Sequence, residues 1–408
     1  MALIVFFILF QNILLRPFSA FGAINYWDEA AFMLVALWYI VGLVRRRMDR
    51  DEAVYLLVLI GFCLVGLAGD LFFGFQPSVN AIVRDIVGFL KFPLSLLAFY
   101  HISLTDRLTG GLCRLMPLLR VLVWVILFFG VVSLFFDLGM SQPEYRAGVH
   151  PYMFLYTHPT YLTTSMICLL CLFNATGDAT PVYDFALLSI IILGLRTKGL
   201  VFVAVYLFMK YAAHWFKHIR LLYFGGIALM VAAVSYNKMA LYASFSNSPR
   251  ESMYGGALRL IGMCFPLGSG FGSFASSVSG DFLSRVYEVI PIAGMYESDG
   301  SVSVVIGDAG LAYYLGQFGL LGIVLFGLLT YCVLRLTTRD LLPERRFPVM
   351  ALWMMIAITL TTEMLLVGNG FEMAMLLVVA GRVCLYRQQD RTLHGRRPLV
   401  RVRLGTDG

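Results

Sequence analysis

The sequence reads as an all-α polytopic membrane protein, a bundle of about twelve transmembrane helices, and three observations carry that reading. Apolar residues make up 60% of the 408 and charged residues only 13%, with a mean hydropathy of +0.81. A soluble domain needs about 25% charged residues to cover its surface. Apolar stretches near the ~20 residues that cross a hydrocarbon core recur along the whole chain. Basic residues gather in short runs between alternate stretches, which is how membrane topology is encoded. Residues 1–408 therefore form one integral membrane domain, with no room for a sizeable soluble one.

The stretches fall near 2–22, 27–44, 53–74, 80–102, 119–136, 159–174, 183–195, 199–213, 221–241, 308–334, 347–367 and 371–386. The first lacks a basic segment before it and a small-residue cleavage site after it, so it is expected to stay as a helix rather than act as a signal peptide. The pair at 183–195 and 199–213 is short and is interrupted by Arg196, Thr197 and Lys198. Short broken spans are tolerated only against protein or a water-filled cavity. Between spans nine and ten, residues 242–307 contain no window apolar enough to cross, and turn formers are dense. They form one large outer loop; residues 137–158 form a second. Their many Tyr, Phe, Leu and Val residues favour order over disorder.

The basic runs orient the bundle. Arg45, Arg46, Arg47 and Arg50 follow the second span; Arg107, Arg114 and Arg120 follow the fourth; Lys210, Lys217 and Arg220 follow the eighth. Arg335, Arg339, Arg345 and Arg346 follow the tenth, and the 387–408 tail carries six more arginines. With twelve spans, 20 of the 31 basic residues fall on one side, which places that side and both termini in the cytoplasm. The net charge of +7 thus reports topology, and a nucleic-acid partner is not implied. The seven cysteines are scattered. Cys168 and Cys171 have redox spacing but lie in an apolar span and read as packing residues. Only Cys264 falls in an outer loop, so no disulfide is expected there. The six histidines include no convincing metal pair, and no nucleotide or hydrolase motif is present. No metal or cofactor is expected.

Eight basic residues sit on the outer side: Arg16, Arg146, Arg196, Lys198, Lys238, Arg250, Arg259 and Arg285. Snorkelling explains Arg16 and Lys238. The others oppose the topology rule. Guanidinium groups grip phosphate oxygens in a bidentate fork, so a pyrophosphate at the outer leaflet is a fitting ligand; lipid headgroups, or pairing with Glu251, Asp281 and Glu288, are the plainer alternative. Gly268, Gly270 and Gly272 could bring backbone amides to an anion or form a plain turn between two loop helices. Asp308, at the start of span ten, could be an N-cap or a chemical acid. His158 lies at the outer end of span six. Arg84 and Asp85 could pair with each other. Lys91, Glu363 and Arg382 are deeper, where interhelical pairing is the first expectation and a polar pathway the second.

Taken together, these segments resemble the O-antigen polymerase and ligase superfamily of bacterial membrane glycosyltransferases. Arg250 to Arg259, running on to Pro266–Phe274, looks like that family's outer-loop pattern: an arginine, an amphipathic helix and a Pro-Leu-Gly-x-Gly-x-Gly-like turn. Arg146–Gly148 and His158–Leu162 resemble the entry to a mid-chain span, and Leu195–Gly199 sits where the family carries an arginine between two short spans. Asp308–Leu311 and Gly316–Gly322 resemble the span after the loop. The resemblance covers roughly residues 140–335.

It implies a metal-independent, inverting polymerase of undecaprenyl-diphosphate-linked repeats (O-antigen, capsule or exopolysaccharide) at the periplasmic face of the inner membrane. Arg196 and Arg250 would hold the diphosphate, with Arg259 or Lys198 in support and Arg146 and His158 in the substrate site. Asp308 would be the general base, with His158 second, and Gly268, Gly270 and Gly272 would shape a loop closing over the donor. Membrane lipids, a chain-length regulator and export proteins are the implied partners. The ligase branch carries a histidine at the position resembling Asp308, which favours a polymerase here. A ligase-type transferase and a 12-span transporter of polysaccharide or lipid-linked sugar are the alternatives; the transporter would show paired broken helices, and the short hairpin at 183–213 has no counterpart.

Overall fold

A computed structural model of the chain describes residues 2–18, 26–102, 106–146, 148–177, 179–211, 249–293 and 306–395. The ninth expected span (221–241), Lys217, Arg220, Lys238, parts of the 242–307 loop and the tail beyond 395 lie outside the described residues. Where the chain is described, helices occupy every expected stretch. In chain order they are α1 Ala2–Leu14, α2 Trp27–Arg45, α3 Arg50–Phe73, α4 Val79–His101 and α5 Asp106–Val132. There follow α6 Pro159–Thr176, α7 Pro181–Leu193, α8 Thr197–Tyr211, α9 Pro249–Met263, α10 Ser277–Asp281 and α11 Val286–Val289. The last are α12 Gly310–Thr338, α13 Phe347–Leu360, α14 Leu365–Gly368 and α15 Gly370–Gly395.

Local chemistry sets many of the boundaries. Asp49 caps α3 by accepting from Glu52 N at 3.0 Å, and Gly74 ends it in the left-handed region at φ 59°. Ser78 caps α4 through Ala81 N at 3.3 Å. Prolines occupy the first turns of α6, α7 and α13, where a missing N–H costs nothing. The expected 347–367 span is broken. The Thr361 hydroxyl donates to Ile358 O at 2.7 Å and the Thr362 hydroxyl to Thr359 O at 3.0 Å, competing with the helical ladder, so the chain turns at 361–364 before α14.

Among the described residues, four helices are long and apolar enough to cross a bilayer: α2, α3, the Gly111–Val132 part of α5, and α12. α1, α7 and α13 are apolar but shorter. α3 shows how the faces divide. Tyr55, Leu59, Phe62 and Gly66 form its buried stripe, while Leu57, Ile60, Leu64, Leu67 and Leu71 are exposed. Leu34, Leu37, Trp38, Val121 and Phe128 extend this apolar exterior over α2 and α5. Water would not tolerate so large an uninterrupted apolar surface, whereas hydrocarbon would. Inside, α12 packs along α3, α15 along α4, α9 along α12, α13 on α6 and α5 on α7.

The 137–158 segment is ordered by two isolated antiparallel bridges, Ser141 with Tyr152 and Arg146 with Val149. Tyr152 OH donates to Ile126 O at 2.8 Å and Tyr156 OH to Leu9 O at 2.9 Å. The 249–293 segment enters the helices instead of lying over them: Ser269, Phe271, Ser273, Phe274 and Ala275 are all buried. α12 breaks at Gly319 (φ 58°, ψ −148°), and the loop closes the break. Ser269 N donates to Gly316 O (2.9 Å), Gly270 N to Gln317 O (3.0 Å) and Leu321 N to Pro266 O (3.2 Å).

Candidate functional site

The hairpin between α7 and α8 supplies two cations. Gly194 follows α7, Leu195 is forced to φ 45°, and the Arg196 carbonyl opens α8 by accepting from Leu200 N at 3.0 Å. A Cβ on Gly194 or Gly199 would strike Thr163 of α6 at 2.7 or 2.8 Å, so this turn is pressed onto the start of α6. There His158 caps α6, its Nδ1 accepting from Thr160 N at 3.3 Å. Arg196 Nη2 meets His158 Nε2 and donates to Gln142 Oε1 at 2.9 Å. A neutral imidazole has one acceptor nitrogen, so His158 serves only one of these two donors at a time. Arg196 Nε is buried with no partner.

The second half of the site comes from α9, α12 and the 361–364 turn. Arg250 lies in the first turn of α9 and donates Nε–H to Asp308 O at 2.9 Å. Its Nη2 lies 3.6 Å from the Asp308 carboxylate and 3.5 Å from Thr362 O. Lys198 Nζ is 2.9 Å from both Glu363 oxygens. Gly310 lets α12 approach this turn: a Cβ there would sit 2.3 Å from Glu363 O. Thus the N-termini of α6, α8, α9 and α12 meet around Glu363, and each helix N-terminus carries roughly +0.5 of a charge.

The charges of the two halves sense one another. Arg146, paired with Glu144 at 3.3 Å, repels Arg196, and burial followed by that repulsion pushes the Arg196 guanidinium below its ordinary value. Lys198 has both Arg196 and Arg250 as repulsive neighbours. Burial first, and then Arg196, push the His158 imidazole below its ordinary value, so it stays neutral near pH 7. Burial raises the Asp308 carboxyl above the usual aspartate value, with Arg250 opposing and Glu363 reinforcing the shift. Such a carboxyl is a better base than an ordinary aspartate.

Six of the residues singled out from the sequence are therefore brought together: Arg146, His158, Arg196, Lys198, Arg250 and Asp308. Asp308 does not act as a helix cap; Ala309 holds that position in α12. Arg259 is not brought in. It lies nine residues after Arg250 on the same helix, a rotation of about 900° at 3.6 residues per turn, which puts it on the opposite, exposed face. Gly268, Gly270 and Gly272 follow the C-terminal end of α9, whereas Arg250 lies in its first turn. The N–H groups of this turn are committed within the fold: Gly268 N donates to Cys264 O at 3.0 Å and Gly270 N to Gln317 O at 3.0 Å. Phe271 N donates to Asp70 Oδ2 at 3.0 Å and Gly272 N to Asp85 Oδ2 at 2.8 Å. Amides already bonded to carboxylates cannot also cradle a phosphate. The same contacts overturn the Arg84–Asp85 pairing: Arg84 stacks over Phe282, while Asp85 also accepts from Tyr313 OH at 3.2 Å.

Of the deeper charges, Lys91 and Glu363 pair between helices as expected, whereas Arg382 bonds a backbone carbonyl. Lys91 Nζ lies 2.9 Å from Asp28 Oδ2 and 2.7 Å from Glu29 Oε1, and Arg382 donates to Tyr100 O at 2.8 Å. Glu363, expected first as a pairing residue and second on a polar pathway, lies at the centre of the cluster. Gln142 was not singled out at all. Beside Glu363 opens a cavity of about 670 Å³ between α1, α2, α6 and α15. Comparison with models of known protein families and with curated proteins finds no match for this chain.

Proposed function

We propose that the chain is a membrane glycosyltransferase that polymerises undecaprenyl-diphosphate-linked oligosaccharide repeats, for O-antigen, capsule or exopolysaccharide, at the periplasmic face of a bacterial inner membrane. The observation that supports this reading is the gathering of Arg146, Arg196, Lys198 and Arg250 at four converging helix N-termini. Helix N-termini with added cations favour anions, and four cations against Glu144, Asp308 and Glu363 leave side-chain charge of +1 before the helix dipoles are counted. A diphosphate satisfies that field. The twelve-span topology with both termini in the cytoplasm belongs to this reading, and so do a chain-length regulator and export proteins as partners.

In this reaction Asp308 takes the proton of the acceptor hydroxyl while its oxygen attacks the anomeric carbon from the face opposite the diphosphate. The carbon–oxygen bond to the diphosphate breaks, and its electron pair leaves on the phosphate oxygen. Arg196 and Arg250 stabilise that developing charge, and no metal takes part. Lys198, held by Glu363, and Arg146 add to the field, while neutral His158 orients Arg196. Alanine replacements at Arg196, Arg250 and Asp308 in a strain lacking the gene test the reading. Loss of long polymer with accumulation of single lipid-linked repeats is expected. Normal chain-length ladders from all three folded variants would end it, and repeats trapped on the cytoplasmic face would indicate a transporter instead.

A further inference from the structure

We infer that the 670 Å³ cavity beside the cationic cluster is a saccharide site that accepts neutral or amine-bearing sugars and excludes carboxylated ones. Its part in glycosyl transfer rests on the reading above; the ligand class rests on the cavity itself. The volume falls within the roughly 300–1,000 Å³ of small-molecule sites. Its wall mixes one indole, Trp27, with hydroxyl and amide groups such as Thr164 and Asn369. Trp27 is fixed edge-on by Phe7 and Phe371, with ring centroids 5.0 and 6.0 Å away. Apolar side chains such as Ile8, Leu9 and Leu376 complete the wall, and it also carries one cation, Arg16, whose Nη1 lies 3.5 Å from Leu155 O and which the four acids outnumber.

The acids decide the charge preference. Asp28, Glu29, Glu363 and Glu372 all line the cavity. Lys91 pairs with the first two and Lys198 with the third. Glu372 is only 1% exposed; its Oε1 accepts from Gln11 Nε2 at 3.3 Å, while its Oε2 has no partner among the described residues. Glu29 Oε2 and Gln11 Oε1 are likewise buried without a donor. Acceptor atoms left unpaired against a cavity call for a ligand rich in donors. Sugar hydroxyls and a sugar ammonium meet that demand, and a carboxylate repels it. Because Glu363 belongs both to this wall and to the cationic cluster, a saccharide held here meets a diphosphate held there, and so occupies the acceptor side.

The test uses the purified full chain in phosphatidylcholine nanodiscs, with maltotriose, the glucosamine trimer and trigalacturonate as probes in calorimetric titration. The first two are expected to bind, and trigalacturonate at least about tenfold more weakly, the equivalent of one charge-assisted hydrogen bond. Glu372→Gln should weaken the glucosamine trimer by about tenfold and maltotriose much less. Thr164→Phe, which fills the cavity, should abolish both. Equal binding of trigalacturonate, binding unchanged by Thr164→Phe, or no binding of any probe overturns the inference. Phosphatidylethanolamine carries the same ammonium; if discs containing it compete with the glucosamine trimer while maltotriose never binds, the cavity holds a headgroup and the inference fails. Inorganic pyrophosphate titrated in parallel separates the two readings. Its loss alone in the wild type counts against the diphosphate reading, and loss of saccharide binding alone counts against this one.

Discussion

Gly310→Ala probes whether the site depends on the close approach of α12 to the 361–364 turn. An added Cβ would lie 2.3 Å from Glu363 O and 2.8 Å from Leu360 O, whereas ordinary contact begins at 3.4 Å. Both obstacles are backbone atoms, so relief requires the two segments to separate by about 3.4 − 2.3 = 1.1 Å. Asp308 sits on one side of that gap and Glu363 on the other, with Arg250 bonded across it to Asp308 O and Thr362 O. A misplacement of about 1 Å can cost roughly 100-fold in rate. Helix propensity runs the other way, since Ala is favoured over Gly by about 1 kcal/mol in a helix. The variant should therefore keep its fold and lose about 100-fold in the initial rate of chain extension on lipid-linked repeats, with weaker affinity for inorganic pyrophosphate. Gly327→Ala is the control, since it lies in the same helix with nothing within 4 Å, and should keep full activity. If Gly310→Ala matches Gly327→Ala in both measurements, the positioning argument is wrong.

Arg196→Lys keeps the charge but loses the planar fork, and should lower pyrophosphate affinity nearly as far as Arg196→Ala; each charged hydrogen bond lost is worth about 1.5–3 kcal/mol. A lysine variant with wild-type affinity would show that charge alone matters. The Asp308 carboxyl titrates above the usual aspartate value. As a base it must be ionised, so the rate should be full above that raised value and fall as pH drops through it. Removing the opposing charge with Arg250→Gln should move this acid limb further upward, and Asp308→Asn should abolish it; a limb unmoved by either change points to another base. Phe271→Ala empties a fully buried position between Phe89 and Phe318, at centroid distances of 5.8 and 5.1 Å. The loss should be about 3–5 kcal/mol in denaturant unfolding of the detergent-solubilised protein, and a loss below about 1 kcal/mol would mean that the glycine turn is not docked as described.

The helical stretches were legible because length and apolarity decide them, and the polar interruption at Arg196–Lys198 marked a true turn. The break at 361–364 was hidden because two threonines look helical until their hydroxyls bond backward. For the site, basic residues that the expected topology puts on the outer side included Arg146, Arg196, Lys198 and Arg250. Which of them share a centre depends on helix packing, which no local pattern reports. Arg259 could have been set aside from periodicity alone, since nine residues of helix turn it away from Arg250. The glycine turn could not have been. The same glycines serve an anion nest or a packed joint, and what decides is the partner of each N–H. Here Gly268 N donates to Cys264 O and Gly270 N to Gln317 O, while Phe271 N and Gly272 N donate to Asp70 and Asp85, far earlier in the chain.

That joint bears on the choice between transferase and transporter. In transporters a helix broken within the bundle offers its freed backbone groups to the coupling ion or substrate. α12 is broken at Gly319, but the carbonyls of Gly316 and Gln317 accept from Ser269 N and Gly270 N, and Leu321 N donates to Pro266 O. The break is closed by the chain's own loop and holds α12 fixed against α3. The unbalanced field lies instead at the helix N-termini, where Lys198 is repelled by Arg196 and Arg250 and, among the described residues, Glu363 alone forms an ion pair with it. Three cations set against Asp308 and Glu363 leave a net positive charge in partly buried surroundings, which favours an added anion. A rigid joint on one side and an anion-demanding cluster on the other suit a site that holds a diphosphate still while its sugar is transferred.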